Sequence, residues 1–167
     1  DRWASLNGTW DFFPDPGRVL DIATFGELAA PETIRVPSCW EQGASGGRHD
    51  WIECGWYRRR VRVPAEWRDD RVILHFGAVF HSCTVWVNGW QVVEHVGGYL
   101  PFEADISDVV EDEHATIVVR VEAPRDKRDI PHGKQRSIPY DDYNGCSFTP
   151  TSGIWQHVWM EPRPATY

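Results

Sequence analysis

Polar and aromatic side chains are concentrated between residues 130 and 150 of the sequence. They include Lys134, Gln135, Tyr140, Asp141 and Asp142, in a segment rich in Pro and Gly. Carboxylates and amides suit sugar hydroxyls, which both donate and accept hydrogen bonds, and an aromatic ring adds a flat apolar surface. The same residue types are also common in a solvated loop. The segment therefore has two interpretations, substrate contact or solvent-exposed connection.

A second candidate site lies in the Gly-rich stretch QGASGGRHDW, which ends in Asp50 and Trp51. The face of a Trp ring stacks on the apolar C–H face of a pyranose, and the indole N–H donates a hydrogen bond. Packing against another part of the protein is the alternative role for Trp51. For five other tryptophans, which lie in or beside strand patterns, we predict packing in the core or against further domains: Trp3, Trp10, Trp86, Trp155 and Trp159.

Metal and nucleophile chemistry have no comparable support in the sequence. The seven His residues show no HExxH or other metal-ligand spacing. Glu103, Asp105 and Asp108 form the nearest carboxylate cluster, but they lack the Gly-bearing loop of a calcium motif. The Ser, His and Asp residues are scattered along the chain and do not define a catalytic triad. We therefore predict no metal, no cofactor and no catalytic residue in this chain.

Composition and charge limit the partners that the chain can have. The 167 residues are 41% hydrophobic with a formal net charge of −8, which is typical of one globular domain. The longest basic run, Arg58 to Arg60, lies in an alternating strand pattern, so we predict no nucleic-acid partner. No apolar run approaches the roughly 18 residues of a membrane helix, so we predict no membrane partner.

The four cysteines form no CxxC pair, which argues against a zinc site. We predict free, mostly buried thiols, because a domain of this size has enough core to fold without disulfides. Free thiols favour a reducing, cytoplasmic location, although the sequence does not fix it. The first residue is Asp1 rather than Met, and we expect a fragment or a processed product.

Short segments with period-two alternation dominate the chain, separated by Gly, Pro and Asn-Gly signals. Strands are predicted for NGTWDFFP near the start, for GWYRRRVRVP up to Pro64, and for residues 71–77, 115–123 and 154–162. Asn88-Gly89 predicts a hairpin between two further strands. One short helix is predicted within residues 19–30, and residues 125–150 form one long ordered loop. The fold class is therefore all-β, a jelly-roll β-sandwich similar to galactose-binding domains.

Eight stretches, in order, form a pattern that covers nearly the whole chain. They are LNGTWDFFPDP near the start, VPSCWE at 36–41, GWYRRRVRVP at 55–64, LHFGAVFHSCTVWVNG at 74–89, HVGGYLPFEADIS at 95–107, IVVRVEAP at 117–124, GKQ at 133–135 and TSGIWQHVWMEP at 151–162. In this order they resemble the N-terminal sugar-binding domain of glycoside hydrolase family two, which contains β-galactosidases, β-glucuronidases and β-mannosidases.

The resemblance implies one N-terminal domain, residues 1–167, of a larger multidomain glycosidase that continues into an immunoglobulin-like domain and a (β/α)₈ barrel. In that family two glutamates of the barrel hydrolyse the O-glycosidic bond, and a retaining enzyme places its carboxyls about 5–5.5 Å apart. No part of this chain resembles the barrel. We therefore expect the chain to be inactive alone and to help shape the cleft that binds a β-glycoside in the complete enzyme.

In the family, the loop before the SGI turn can carry an acidic residue that reaches the sugar bound in the barrel. By ungapped counting Ser147 occupies that position here, and Asp141 and Asp142 lie six and five positions earlier. The chain departs from the family pattern at this point, so the resemblance transfers the location of the loop and not the identity of the acid.

Two other functions stay open: an autonomous carbohydrate-binding module and a β-sandwich for protein–protein contact, because this fold serves many functions. An autonomous module would bind sugar alone and lose binding on Trp51→Ala. An accessory domain would bind sugar poorly in isolation and would expose an apolar patch for its neighbouring domains. The sequence does not specify which sugar is bound.

Overall fold

The computed structural model describes residues 2–26, 28–42, 52–136 and 148–165. These residues form short strands, one α-helix (α1, Ile22–Phe25) and three single-turn 3₁₀ helices at Trp40–Gln42, Ala65–Trp67 and Ser107–Val109. The strands are β1 (Ala4–Ser5), β2 (Gly8–Pro14), β3 (Glu32–Val36), β4 (Cys54–Arg62), β5 (Asp70–Phe76), β6 (Val79–Phe80), β7 (Ser82–Val87), β8 (Trp90–Val96), β9 (Phe102–Asp105), β10 (His114–Glu122), β11 (Gly153–Ile154) and β12 (Val158–Pro164). Among the described residues, no helix has the length and apolar character needed to cross a membrane.

The strands form three antiparallel sheets. One has four strands in the order β1-β12-β5-β9, one has six in the order β3-β2-β4-β10-β7-β8, and β11 pairs with β6 in a small third sheet. Every ladder between these strands is antiparallel. The predicted all-β class is therefore confirmed, and the finer jelly-roll assignment stays a prediction.

One hydrophobic core joins the two large sheets. Trp10 and Tyr57 from the six-stranded sheet belong to the same buried cluster as Leu74 and Met160 from the four-stranded sheet. Strand β10 lies in the middle of the larger sheet and places Val119 opposite Tyr57 of β4. Because side chains alternate across a strand, each strand directs every second residue into this core. This arrangement is that of a β-sandwich.

The predicted hairpin at Asn88-Gly89 is confirmed. It joins β7 to β8, and both turn residues have positive φ angles, 48° at Asn88 and 84° at Gly89, as a two-residue type I′ turn requires. The Asn88 side chain also donates to the carbonyl oxygens of Val109 and His114, at 2.7 and 3.1 Å. The turn is thus fixed by both its backbone conformation and its side chain.

The predicted helix within residues 19–30 is much shorter than expected. Asp21 begins it as predicted, because its carboxylate accepts from the Ala23 N–H at 2.9 Å and so caps the first turn. The helix ends at Phe25, which packs on Phe13 and Trp56 with ring centroids 4.5 and 5.0 Å away. The helix therefore consists of a single turn that places Phe25 in this buried aromatic cluster.

The final predicted strand, residues 154–162, is wrong as one continuous element. It is divided into β11 and β12, with a break at residues 155–157. At the break Gly77 donates its N–H to the His157 carbonyl at 2.8 Å, and the Trp155 indole donates to the Gly98 carbonyl at 2.9 Å. These contacts are long-range, and they allow the chain to leave the small sheet and join the four-stranded sheet.

Candidate functional site

Two stretches outside the described residues, 43–51 and 137–147, belong to the predicted site segments QGASGGRHDW and 130–150. We call them the first and the second loop, and the described segments that flank them meet at one end of the sandwich. Trp40 donates its backbone N–H to the Ser152 carbonyl at 3.1 Å. The Ser152 N–H in turn donates to Glu41 Oε2 at 3.1 Å. The residues that precede the first loop are therefore bonded to those that follow the second. We call this region the loop end.

The other flanks of the two loops are also joined. Glu53 follows the first loop, and its backbone carbonyl accepts from the Ala123 N–H at 2.9 Å. Its side-chain Oε1 accepts from the Arg125 N–H at 2.9 Å. Strand β10 ends just before Ala123, so the start of the long segment 125–136 is fixed against Glu53, the second residue after the first loop.

A buried ion pair strengthens the loop end. Glu41 is 5% exposed, and its Oε1 lies 3.7 Å from Arg125 Nη2, whose side chain is also largely buried. A buried ion pair loses much of its Coulomb energy to desolvation, but removing one partner is strongly destabilising. The pair therefore fixes the relative positions of residues 40–42 and 125 more than it adds stability.

The flanks of the second loop are paired with each other. Arg136 donates its N–H to the Phe148 carbonyl at 2.9 Å, and Phe148 donates to the Lys134 carbonyl at 3.0 Å. Gln135 Oε1 accepts from the Thr151 N–H at 2.9 Å. The Gln135 side-chain oxygen therefore helps to close the loop, and its NH₂ group can donate to a ligand.

A cleft of about 470 Å³ lies beside these residues, a size that accommodates a small sugar. Lys134 and Gln135, both predicted site residues, line it, and Lys134 is exposed. The remaining lining residues were not among the predicted site residues: Tyr99, Pro131, His132, Gly133, Phe148, Thr149 and Thr151.

Tyr99 is held in place on the wall of this cleft. Its ring makes edge contacts with Phe80 and Trp155, at centroid distances of 5.8 and 6.2 Å. Burial raises the pKa of the Tyr99 phenol, so the hydroxyl keeps its proton at neutral pH and can donate to a sugar oxygen. The sequence signal that could have indicated this residue is the Gly97-Gly98 pair directly before it. The structure explains Gly98, because a Cβ at that position would lie 2.1 Å from Phe80 Cδ2, and Phe80 is also the ring that Tyr99 contacts.

His132 also lines the cleft. Its Nδ1 is buried and makes no hydrogen bond to another described residue, and because this atom has almost no exposed surface it does not contact a ligand in the cleft directly. Phe148, which is 63% exposed, offers an apolar surface on the same cleft.

The other five predicted site residues, Asp50, Trp51, Tyr140, Asp141 and Asp142, lie outside the described residues. Trp40 and Trp56, which flank the first loop in the sequence, are buried core residues. Of the tryptophans predicted to pack, Trp10 is in the core, whereas Trp3 is 55% exposed. Within the described ranges, no group of three or more His, Cys, Asp or Glu residues is arranged to hold a metal ion.

Comparison with known proteins identifies the family. The family described as "Glycosyl hydrolases family 2, sugar binding domain" matches residues 46–161. The β-glucuronidase of Paenibacillus borealis is 36% identical over 120 residues, which cover 68% of this chain and 20% of that protein. The β-glucuronidase of Canis lupus familiaris is 49% identical over 118 residues, which cover 64% of this chain and 18% of that protein.

Solved structures agree with these relatives. The β-glucuronidase of Ruminococcus gnavus matches 98% of this chain with a TM-score of 0.78 and 29% sequence identity, and the chain covers 28% of that structure. A β-glucuronidase of an uncultured Clostridium species matches the same share with a TM-score of 0.75 and 28% identity. This chain thus spans about a fifth of its curated relatives, and it belongs to the sugar-binding domain family of the family 2 glycosyl hydrolases.

Proposed function

We propose that the chain is the N-terminal domain of a longer β-glucuronidase and that its loop end forms part of the wall of the substrate cleft. The observation that carries this proposal is the joining of both loop flanks beside one cleft. The names of the relatives supply the substrate class, β-D-glucuronides. The catalytic glutamates would belong to a barrel outside this chain, as in the family that it resembles.

The chemistry of the cleft suits a role in orienting the substrate. The Lys134 ammonium group can pair with a carboxylate, and an ionised hydrogen bond is stronger than a neutral one. The Tyr99 hydroxyl and the Gln135 amide can hydrogen-bond to sugar hydroxyls. None of these groups is placed to break a bond by itself. The domain would therefore lower the KM of the complete enzyme and leave the chemical step to the barrel.

A chimaera tests this proposal. Residues 1–167 would replace the corresponding domain of the R. gnavus β-glucuronidase, whose structure matches almost the whole chain. We expect glucuronide hydrolysis by the chimaera and none by the isolated chain. In the chimaera, Lys134→Ala should raise KM about 3- to 10-fold with little change in kcat, as expected for losing one exposed charged contact of about 1 kcal/mol.

The matched control is Lys127→Ala, which removes another exposed lysine of the same segment that does not line the cleft. It should leave KM unchanged. Equal effects of the two substitutions would indicate general electrostatics and would contradict a specific role of the cleft. A chimaera that folds and hydrolyses glucuronides, but is insensitive to both Lys134→Ala and Tyr99→Ala, would also contradict it.

A further inference from the structure

We propose a second carbohydrate-binding site, for neutral β-linked glycans, on the outer face of the four-stranded sheet. A cleft of about 460 Å³ opens there along the edge strand β1 and the start of β12. It is formed by a different sheet from the loop end, and none of its lining residues lines the cleft beside Lys134. The residues that carry the proposal are Trp3, Ser5, Asn7, His157, Trp159 and Glu161.

Two tryptophans give this cleft its apolar surface. Trp3 is 55% exposed, which is unusual for the largest apolar side chain. Trp159 is half-buried, and one face of its ring stacks on His75 at a centroid distance of 4.7 Å and an interplanar angle of 4°. Ser5 lies opposite Trp159 in the β1–β12 ladder and is too small to cover the ring. The face turned away from His75 therefore borders the cleft.

The Trp159 ring is held rigidly, which favours ligand binding. His75, on which it stacks, lies between two carboxylates, with Nδ1 3.4 Å from Glu103 Oε2 and Nε2 3.2 Å from Glu161 Oε1. Arg163 contacts the same two carboxylates, at 2.7 Å and 3.2 Å. An aromatic ring that is already ordered loses little conformational entropy when a ligand stacks on it.

Polar groups of defined direction surround the rings. Asn7 Oδ1 accepts from the Val158 N–H at 3.1 Å, which fixes the orientation of the amide. Its Nδ2 lies 2.7 Å from His157 Nδ1 and must be the donor, so His157 Nδ1 is the acceptor. The His157 proton is therefore on Nε2, and this exposed imidazole presents an N–H donor to a ligand.

The charges at the cleft favour a neutral ligand. Arg2 is paired with Asp70, and Glu161 is paired with His75 and Arg163. The described lining residues include one cation, Arg2, and one anion, Glu161, so these two charges cancel and do not select an ionic substrate. A pyranose with equatorial hydroxyls has flat C–H faces for the Trp rings and hydroxyl edges for the His157 donor. A β-linked glucan presents such units in a row.

Titration of the 167-residue chain with cellotetraose, followed by the indole N–H signals in ¹H–¹⁵N NMR spectra, tests this site. We expect saturable shifts of the Trp3 and Trp159 signals. Trp3→Ala should weaken binding about 3- to 10-fold, as expected for the loss of one aromatic contact, and Trp3→Phe should weaken it less. Trp90→Ala is the matched control, because Trp90 is 65% exposed but lies on β8 of the other sheet.

Tyr99→Ala separates this proposal from the one for the loop end and should leave cellotetraose binding unchanged. If Tyr99→Ala abolishes binding while Trp3→Ala does not, the glycan binds at the loop end and the second site is refuted. Absence of any shift in folded protein also refutes the second site, without affecting the chimaera experiment. A Trp3→Ala variant that loses only unfolding free energy would show a packing surface instead, which likewise overturns the proposal.

Discussion

Gly153 is the residue whose replacement should most clearly show how the loop end is fixed. It has φ of 91°, and a Cβ added there would lie 2.3 Å from Tyr57 Oη and 2.6 Å from Trp40 Nε1. These two atoms are themselves hydrogen-bonded at 2.5 Å, and Tyr57 Oη also accepts from the Ile154 N–H at 3.2 Å. Gly153→Ala therefore combines backbone strain with a clash in a buried network.

The magnitude follows from these two costs. A non-glycine residue at positive φ costs about 1–2 kcal/mol, and overpacking of a buried site costs about 1–3 kcal/mol. We expect Gly153→Ala to lower the free energy of unfolding by about 2–5 kcal/mol. For a domain of this size that is a fall in Tm of roughly 4–20 °C. Urea unfolding followed by Trp fluorescence measures it directly.

Two other glycines separate the costs. Gly89 has φ of 84° but no atom within 4 Å of an added Cβ, so Gly89→Ala carries only the backbone cost. At Gly98 an added Cβ meets Phe80 at 2.1 Å without a positive φ, so Gly98→Ala carries only the clash. If Gly153→Ala is no more destabilising than Gly89→Ala, strain and clash do not combine at Gly153 and the expected loss of about 2–5 kcal/mol is refuted.

Three further predictions concern charge and thiols. Glu41→Ala removes a partner of the buried Arg125 and should lower the free energy of unfolding in urea by about 3–5 kcal/mol. Glu41→Gln keeps an acceptor for the Ser152 N–H and should lower it less. Equal losses for the two variants would contradict the hydrogen-bonding role of Glu41. Arg163 lowers the pKa of Glu103 below its usual 4.5, so the stability from this pair is complete above about pH 4.5 and is lost as pH falls through the lower folded-state pKa. Glu103→Gln should therefore flatten acid unfolding curves, and unchanged curves would contradict the assignment. Burial raises the pKa of the Cys39 and Cys54 thiols to about 11 and that of the Cys83 thiol to about 12. In a Cys146→Ser variant, which keeps only these three thiols, a thiol reagent at neutral pH should therefore react on the order of 100-fold more slowly than it does with free cysteine. Addition of urea should restore rapid reaction. Rapid reaction of the native protein would contradict this last prediction.

Features that depend only on residues close together along the chain were predictable from the sequence. The alternation in GWYRRRVRVP predicts β4, since a strand places successive side chains on opposite faces whatever its partners are. Asn88-Gly89 predicts the hairpin, because only such residues adopt positive φ at both turn positions without strain. Lys134 and Gln135 line a cleft, and their role as site residues stays a prediction.

The distribution of tryptophans was decided only by the tertiary structure. Trp40 lies beside a predicted sugar-binding loop but is fully buried, and Trp3 lies beside a predicted strand but is 55% exposed. The sequence does not distinguish them, because burial depends on what the other sheet places against each ring. The same holds for the break between β11 and β12, which is fixed by contacts with residues 77 and 98.

The sequence by itself therefore determined the all-β class, most strands, the hairpin and the family, since these follow from local periodicity, turn chemistry and ordered motifs. Only the tertiary structure decided how the site is assembled. Glu41 and Ser152 are separated by 111 residues along the chain, and Asn7 and His157 by 150. Such pairs meet because the two sheets close around one core, and no local pattern records which distant residues that closure brings together.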